Sequence, residues 1–392
     1  MPAAMERLYQ ERLGRYVAAM EGRRPDRVPI RLSLGEVQAK HAGLRLQDVY
    51  YSWEKNIAAT TKVISDLDFD VIRGAPSRFW AAMHDGVGTR SVALPGLRMP
   101  ADTQYQYVEG EYMLPEDYDA FISDPTRWIV STYLPRVHEE FAEPGSYRAS
   151  IALLKGIAAR TMFAHAMREG EQLWRESYGM PVATAGTSVA PFDLLGDKLR
   201  GMVGIMLDLH RRPEKIAAAT EMLVPHCIFL GVHGRASNRE LPVFMPLHRG
   251  AHPFLSPRHW DTYYWPSLKQ VIEGMWAQGR RTLFYAEANW TPYLDRIARL
   301  PDHSIVFNLD QTDIGEAVAR LGGRFCLSGG LPNYLLAYGS PGEVREACKR
   351  LIDRCGADGG FVLDSCFSME TDVNLRNVEV MVETARDHGR YR

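Results

Sequence analysis

The chain has 392 residues, with 46 Lys and Arg against 48 Asp and Glu, so its formal net charge is only −2. This near-neutral balance gives no bulk field to attract a polyanion or an anionic bilayer, which argues against nucleic acids and membranes as partners. The length fits one large domain, and β/α barrels with insertions commonly reach this size.

The N-terminal segment predicts an amphipathic, charged helix over residues 4–21, without the apolar region of a signal peptide. We expect no apolar run to approach the ~20 residues of a membrane span. The five cysteines are Cys227, Cys326, Cys348, Cys355 and Cys366. Their scattered spacing, without a CxxC pair, is typical of reduced thiols rather than a disulfide framework. These features predict a cytoplasmic protein.

A first strand is predicted over residues 28–34 and a second near residue 70, with a long helix between them. Residues 75–116 follow as an irregular insertion, in which TQYQYVEGEY indicates a hairpin. An insertion of this length is usually functional or a lid. Its candidate pocket-covering residues are Arg78, Trp80, Met83, His84 and Arg90. We predict substrate contacts for Trp80 and His84, although a packed surface excursion explains the same residues.

The last third of the chain, residues 243–384, repeats one unit in which a short apolar run precedes an amphipathic run. The apolar runs lack polar alternation, which is typical of parallel strands covered on both faces. Counting strands near residues 28, 70, 182, 243, 282, 304, 324 and 360 gives eight. We therefore predict a single α/β domain over 25–392, a (β/α)8 TIM barrel behind an N-terminal helical extension over 1–24. An open doubly wound sheet would give the same local pattern.

Four of the apolar runs end in a polar or reactive residue, namely His248, Glu287, Asp310 and Cys366. The carboxyl ends of barrel strands open into the active-site mouth, so these residues are the first candidates for a site. His252 lies four residues after His248 and is a further candidate for substrate binding.

Each candidate also has a structural explanation. Glu287 could pair with Arg249 or Arg281 in a salt bridge, Asp310 could cap the following helix, and Cys366 could be an inert buried thiol. Asp364 precedes Cys366 by two positions, so both side chains project to the same side of their strand. We predict that Asp364 contacts the substrate or supports the site.

Several stretches spread over nearly the whole chain resemble the uroporphyrinogen decarboxylase superfamily. They are RRPDRVPI, EGEYMLPEDYDAFISDP, LRGMVGIMLDLHRRPEKI, LHRGAHPFLSPRHWDTYYWPSLKQVIEG, and GGFVLDSC with NLRNVEVMVETARDHG. The resemblance implies a β/α barrel. It leaves two activities open, because decarboxylases and cobalamin-dependent methyltransferases of the superfamily share that fold.

The decarboxylase branch carries an Arg-rich RQAGRY motif that grips the carboxylates of its porphyrinogen. The corresponding stretch here is PIRLSLGEVQAK, which leaves only Arg31 as a substrate-binding candidate. The family's conserved Asp is matched ambiguously, by Asp70 at best. Because an octacarboxylate needs several bidentate guanidinium partners, the resemblance favours the methyltransferase branch.

In the methyltransferase branch a zinc site is written His-x-Cys at one strand end, with a distant Cys at the last strand end. The resemblance places Tyr285 at the His position, Glu287 at the first Cys position and Cys366 at the distant Cys. Zinc accepts Glu, His and Cys, so we predict a zinc site of His248, Glu287 and Cys366. Glu287, Asp310 and Tyr285 are the catalytic candidates.

The resemblance therefore implies methyl transfer between a small methylated donor and a corrinoid carried by a partner protein. The donor class would be a methoxylated aromatic, a methylated amine or a thiol, and a homodimer is a further expectation. Two rivals stay open, a cofactor-independent decarboxylase and a barrel that binds a corrinoid or tetrapyrrole without turnover.

Overall fold

A computed structural model describes residues 3–74, 80–96, 98–233 and 238–391 of the chain. The predicted lid residue Arg78 lies outside the described residues.

Parallel pairing dominates the strands. They are β1 (Arg31–Leu34), β2 (Val71–Gly74), β3 (Val92–Ala93), β4 (Gln106–Tyr107), β5 (Val243–Leu247), β6 (Thr282–Ala286), β7 (Ile305–Leu309), β8 (Cys326–Leu331) and β9 (Phe361–Ser365). Strands β5 to β9 form one parallel sheet in sequence order, β1 and β2 form a parallel pair, and β3 and β4 form an antiparallel pair. The repeat predicted over 243–384 is confirmed as a five-stranded parallel sheet with helices between its strands.

Helices cover the strands. They are α1 (Ala3–Met20), α2 (Val37–His41), α3 (Leu46–Tyr51), α4 (Trp53–Asp66), α5 (Ala81–Val87), α6 (Tyr118–Ser123), α7 (Pro125–Trp128), α8 (Leu134–Val137), α9 (Tyr147–Tyr178), α10 (Pro191–Leu194), α11 (Gly201–Arg211), α12 (Pro213–His233), α13 (Pro257–His259), α14 (Trp265–Trp276), α15 (Leu294–Ile297), α16 (Ile314–Leu321), α17 (Asn333–Tyr338), α18 (Pro341–Cys355) and α19 (Leu375–His388). Short 3-10 segments span Pro115–Asp117, Glu139–Phe141 and Thr291–Tyr293, and π-helical segments span Ile129–Tyr133, Leu195–Arg200 and Trp260–Tyr264.

The strand predicted near residue 182 is not a regular strand. Isolated parallel bridges join Val182 to Ile72 of β2 and Thr187 to Phe244 of β5, while a third joins Ile30 to Leu363 of β9. Pro246 explains the limited pairing beside β5, because proline has no N–H and would face the 182–188 side at that position. Among the described residues, seven of the eight predicted barrel strands are regular strands, and the one predicted near residue 182 is not.

The N-terminal helix α1 packs under the strands rather than beside them. Tyr16 and Met20 are fully buried, in one apolar cluster with Leu283, Val306 and Val362 from the amino-terminal halves of three strands. Burying two large side chains of this kind contributes roughly 1.5–3 kcal/mol each. Helix α1 therefore closes the end of the strand array opposite to the strand carboxyl ends.

The hairpin predicted in TQYQYVEGEY is wrong. Strand β4 lies inside that stretch, but it pairs with β3 some 14 positions earlier, through Val92 with Tyr107 and Ala93 with Gln106. The apolar and aromatic pattern identified β4 correctly. Its partner β3 lies too far back in the sequence for the short hairpin that was predicted.

Within the described part of the chain, one helix is long and apolar enough to span a membrane by length and composition alone. This helix is α12, with a mean hydropathy of 1.4 over its most apolar window, 39% of which is buried. The expectation that no run approaches this length is therefore wrong. Because α12 packs on α6, α10, α11 and α14 and contains Pro225, it has the surroundings of a core helix.

Candidate functional site

The four predicted strand-end residues each follow the last residue of a strand directly. His248 follows β5, Glu287 follows β6, Asp310 follows β7 and Cys366 follows β9. Side chains alternate along a strand, so Glu287 shares its direction with Tyr285, two positions earlier. Because the sheet is parallel, all four lie at the same end of it.

His248 lies between two carboxylates. Its Nδ1 is 2.6 Å from Asp197 Oδ2 and its Nε2 is 3.5 Å from Glu287 Oε1. Burial disfavours the imidazolium, but the hydrogen bonds to Asp197 and Glu287 outweigh it and raise the pKa of His248 to about 11. His248 is therefore charged at neutral pH, and Glu287 is paired with it rather than with Arg249 or Arg281.

Asp193 and Asp197 fix the backbone and side chain of this strand end. The backbone N–H groups of His248 and Arg249 donate to Asp193, and Tyr264 donates its hydroxyl to the same carboxylate at 2.9 Å. Arg249 Nε donates to Asp197 at 2.6 Å. Burial and the nearby Asp197 charge raise the pKa of Asp193, whereas His248 and Arg249 overcome burial and lower the pKa of Asp197.

His248 makes folding stability depend on pH. A folded-state pKa of about 11 against an ordinary value of 6.5 means that its stabilising contribution is fully present below about pH 6.5. That contribution is lost as the pH rises through about 11. We expect His248→Gln to flatten the alkaline decline of the melting temperature, measured by differential scanning fluorimetry across this range. His388→Gln, which breaks an exposed pair with Asp353, is the matched control and should leave the decline unchanged.

Asp310 and Cys366 form a second part of the cluster. Asp310 Oδ2 accepts the Ala288 N–H at 2.7 Å, and burial raises the pKa of Asp310. Burial, with the Asp310 charge, raises the pKa of Cys366 to about 12, and its thiol lies 3.5 Å from Asn333 Oδ1. The helix cap predicted for Asp310 is instead supplied by Asp313, which accepts the Glu316 N–H.

Ala288 follows Glu287 with a φ of 61°, a left-handed conformation that is strained for a residue other than glycine. The Asp310 carboxylate holds this turn through the Ala288 N–H. Strained backbone of this kind concentrates at functional sites. The turn fixes the direction in which Glu287 leaves β6.

The predicted zinc ligands fit a metal only in part. Among the described residues no group of three or more His, Cys, Asp and Glu side chains is arranged to hold a metal ion. His248 and Glu287 do face each other, with Asp197 on the far ring nitrogen, and zinc-bound histidines commonly have such a carboxylate behind them. The Cys366 thiol is protonated and directed to Asn333 and Asp310.

Arg31 and Asp364 do not line the strand-end cluster. Both are fully buried, and Arg31 Nε donates to Asp364 Oδ2 at 2.7 Å. Arg31 also donates to Asn308 and Ser328, and Ser33 donates its hydroxyl to Asp364. Each charge is matched by the other inside the core. The predicted substrate contacts of Arg31 and Asp364 stay predictions.

Tyr285 lies in the layer between this buried pair and Glu287. The Arg73 guanidinium is 4.6 Å from the centre of the Tyr285 ring and 4.7 Å from that of Phe244, and it donates to the Tyr285 hydroxyl at 3.3 Å. Burial raises the pKa of Tyr285, so its phenol is neutral. Tyr285 therefore holds Arg73 beneath the cluster, and its predicted catalytic role stays a prediction.

A comparison with protein families identifies the family of this chain. Residues 164–388 match the protein family described as uroporphyrinogen decarboxylase (URO-D). The chain belongs to the URO-D family. The match covers more than half of the chain and includes all four strand-end residues, so the resemblance predicted from the sequence is confirmed.

A solved structure is similar to this URO-D chain over most of both lengths. It is a methyltransferase from Methanosarcina mazei, with a TM-score of 0.63, 14% sequence identity, and coverage of 95% of this chain and 97% of that one. At this identity the likeness shows a shared fold. No curated protein sequence matches the chain.

The other predicted substrate-binding residues of this URO-D chain contact residues outside the strand-end cluster. They are Trp80, His84 and His252. The Trp80 ring is 4.7 Å from that of Trp53, and the His84 ring bonds Thr89. His252 is exposed, and its backbone N–H donates to the Asn289 carbonyl. The inserted segment around Trp80 packs on outer helices, which favours the surface-excursion explanation.

Sequence reasoning missed Asp193, Asp197 and Arg249 as members of the site. A signal for the two aspartates was present, since they lie four residues apart just after the Pro191 that begins α10. A spacing of four places two side chains on one helix face.

Proposed function

We propose that this URO-D family member is an enzyme that transfers a methyl group between a small methylated donor and a corrinoid cofactor carried by a partner protein. The observation that carries the proposal is the His248–Glu287 pair, backed by Asp197 and lying at the same sheet end as Asp310 and Cys366. Donors of a methoxylated aromatic, methylated amine or thiol class fit a site that combines charge with the neighbouring Phe244 and Tyr285 rings.

Zinc dependence is part of the proposal. His248 and Glu287 would hold the ion, with Cys366 as the third ligand, while Asp197 stays on His248 Nδ1. Binding would release the Nε2 proton of His248 and the thiol proton of Cys366. When bound, zinc would supply a Lewis acid that polarises the donor or stabilises its leaving oxygen, nitrogen or sulfur. The part of the donor set that supports this is the carboxylate–histidine–carboxylate line of Asp197, His248 and Glu287.

The chain's own residues orient this line and control its protons. Asp197 holds the Nδ1 proton, which leaves Nε2 directed at Glu287. Arg249 keeps Asp197 ionised, and Asp193 anchors the backbone from which His248 projects. Asp310, with its raised pKa, is the group best suited to accept or donate a proton beside the Cys366 thiol.

Elemental analysis of purified protein followed by single-turnover methyl transfer tests the proposal. We expect about one equivalent of zinc and transfer of a methyl group from a methoxylated aromatic to added cob(I)alamin, monitored by its absorbance change. Corrinoid binding without transfer from any of the three donor classes would instead support the non-catalytic binder.

Uroporphyrinogen is not expected to be a substrate. A decarboxylase needs several arginines for the substrate carboxylates, and Arg31 is committed to Asp364 inside the core. Each missing charge-assisted contact costs roughly 1.5–3 kcal/mol, so a few of them abolish recognition. Chromatography of the products, with a known decarboxylase as positive control, checks this, and coproporphyrinogen formed at a comparable rate would contradict it.

We also propose that the parallel strands form a closed (β/α)8 barrel, in which residues 182–188 occupy the position of the third strand. The parallel bridges from Val182 to Ile72 and from Thr187 to Phe244 support this closure. A closed array would place the acidic helix start at Asp193 between β2 and β5, where it already contacts His248.

A further inference from the structure

Arg73 places a positive charge inside the strand array. It belongs to β2 and is only 6% exposed. Its Nε donates to the Ser33 hydroxyl at 2.9 Å, and one Nη donates to the hydroxyls of Ser368 at 2.9 Å and Tyr285 at 3.3 Å. These hydroxyls come from β1, from the segment after β9 and from β6. The guanidinium is therefore held in a defined position between three parts of the array.

The rings of Phe244 and Tyr285 form an apolar wall beside this charge. Their centres lie 4.7 and 4.6 Å from the guanidinium carbon of Arg73 and 5.2 Å from each other. Because these three separations are similar, both rings flank the guanidinium on the same side. A guanidinium presents its N–H donors in a planar fork that matches the two oxygens of a carboxylate. An anion with an apolar body fits both features, since the body packs on the rings while the carboxylate meets the fork.

The inner side of β5 is accessible at more than one level. Side chains alternate along a strand, so Phe244, Pro246 and His248 share one side of it. All three are only half-buried, whereas the residues between them are fully buried against the surrounding helices. Solvent therefore reaches this side of β5 at the ring that contacts Arg73 as well as at the strand end.

The guanidinium and the strand-end pair lie at two successive levels of the array. The strand register pairs Pro246 with Tyr285, and Glu287 follows Tyr285 by two positions. Two positions along a strand span at most ~6.8 Å. This separation is about the length of a benzene ring with a substituent at each end. A para-substituted aromatic acid would thus place its carboxylate at Arg73 when its methyl-bearing oxygen lies at His248 and Glu287.

We propose that Arg73 binds a carboxylate of the methyl donor, so that the donor is an anionic methylated compound. A methoxylated aromatic acid is the class that fits the two rings. The inference rests on the proposed methyl transfer and adds the residue that selects the donor. Arg73 lies on β2, whereas the stretch compared with the Arg-rich motif of the decarboxylase branch contains β1 and Arg31. A neutral donor of the same shape forgoes the charge-assisted contact.

A matched acid and amide test the role of Arg73. The wild-type protein should bind 4-methoxybenzoate at least about tenfold more tightly than 4-methoxybenzamide in isothermal titration calorimetry, because only the acid forms the charge-assisted pair. Arg73→Gln should bind both ligands equally. Arg73→Lys should keep part of the preference, since it retains the charge without the planar fork. Arg324→Gln, which removes a 47% exposed guanidinium paired with Asp302, is the matched control and should keep the full preference.

Circular dichroism melting shows whether each variant is folded. Equal affinities of the wild-type protein for acid and amide would overturn the proposal, and so would a full acid preference in folded Arg73→Gln. Should Arg73→Gln fail to fold, an unchanged preference in Arg73→Lys overturns it. The binding measurements need neither zinc nor a corrinoid. An acid preference that depends on Arg73, in a protein that transfers no methyl group, would therefore contradict the proposed function and leave the anion site standing.

Discussion

Glu287→Gln and Cys366→Ala are each expected to lose bound zinc and at least about 100-fold of methyl-transfer activity, while melting near the parent temperature. Glu287 is partly exposed and belongs to the His248 pair, so its amide form keeps the shape and removes the charge. A catalytic metal site contributes less to folding than a structural one, which is why activity should fall far more than stability.

Two control variants separate a site effect from a packing effect. Cys355→Ala removes a thiol that is buried to almost the same extent as Cys366, on α18 and away from the cluster. Glu379→Gln removes a carboxylate that is 40% exposed on α19. Both should retain metal and activity. Full metal occupancy in Glu287→Gln and Cys366→Ala would return Cys366 to the packing residues.

Arg31→Met should destabilise the fold by about 3–5 kcal/mol, the largest stability change that we expect from a single substitution. The change leaves the Asp364 carboxylate buried without its cation, while Ser33 and the Ser365 N–H still point at it. Urea unfolding followed by tryptophan fluorescence measures the effect as a shift of the midpoint.

Arg376→Met is the matched control for Arg31→Met. Arg376 pairs with Glu379 on the surface of α19, with 55% and 40% of the side chains exposed. Surface pairs of this type contribute about 0–1 kcal/mol. Equal midpoints for the two variants would show that the buried pair carries no special stability. Adding Asp364→Asn to Arg31→Met should recover part of the loss, because no buried charge then remains.

The five-stranded sheet was predictable because each of its βα units has a local sequence signal, an apolar run followed by an amphipathic run. Strands β5 to β9 are short apolar runs, and a polar or reactive residue directly follows four of the five, as at Glu287 and Asp310. The pairing of the 182–188 segment and of β4 was not predictable from local sequence, because their partners lie far away along the chain. Pro246, more than fifty residues away, limits the pairing of the first, and β3 determines the second.

The site residues at strand ends were predictable from their positions in the sequence. Ion pairs between residues far apart in the sequence were not. Glu287 and His248 were placed by position alone. Arg31 was predicted to bind substrate because the resemblance places its strand at the Arg-rich motif of the decarboxylase branch. Its partner Asp364 lies 333 positions later, and only the folded array brings the two charges together.

The sparse pairing beside Pro246 makes the strand array mechanically uneven. Residues 182–188 are joined to β5 by three backbone hydrogen bonds, which end at Pro242 or Phe244, whereas β5 to β9 are held by full ladders. Deformation therefore concentrates at this seam. Asp197 follows the 182–188 segment and His248 follows β5, so their 2.6 Å hydrogen bond joins the two sides of this sparsely paired seam. A shift of α10 against β5 would therefore move the His248 imidazole relative to Glu287.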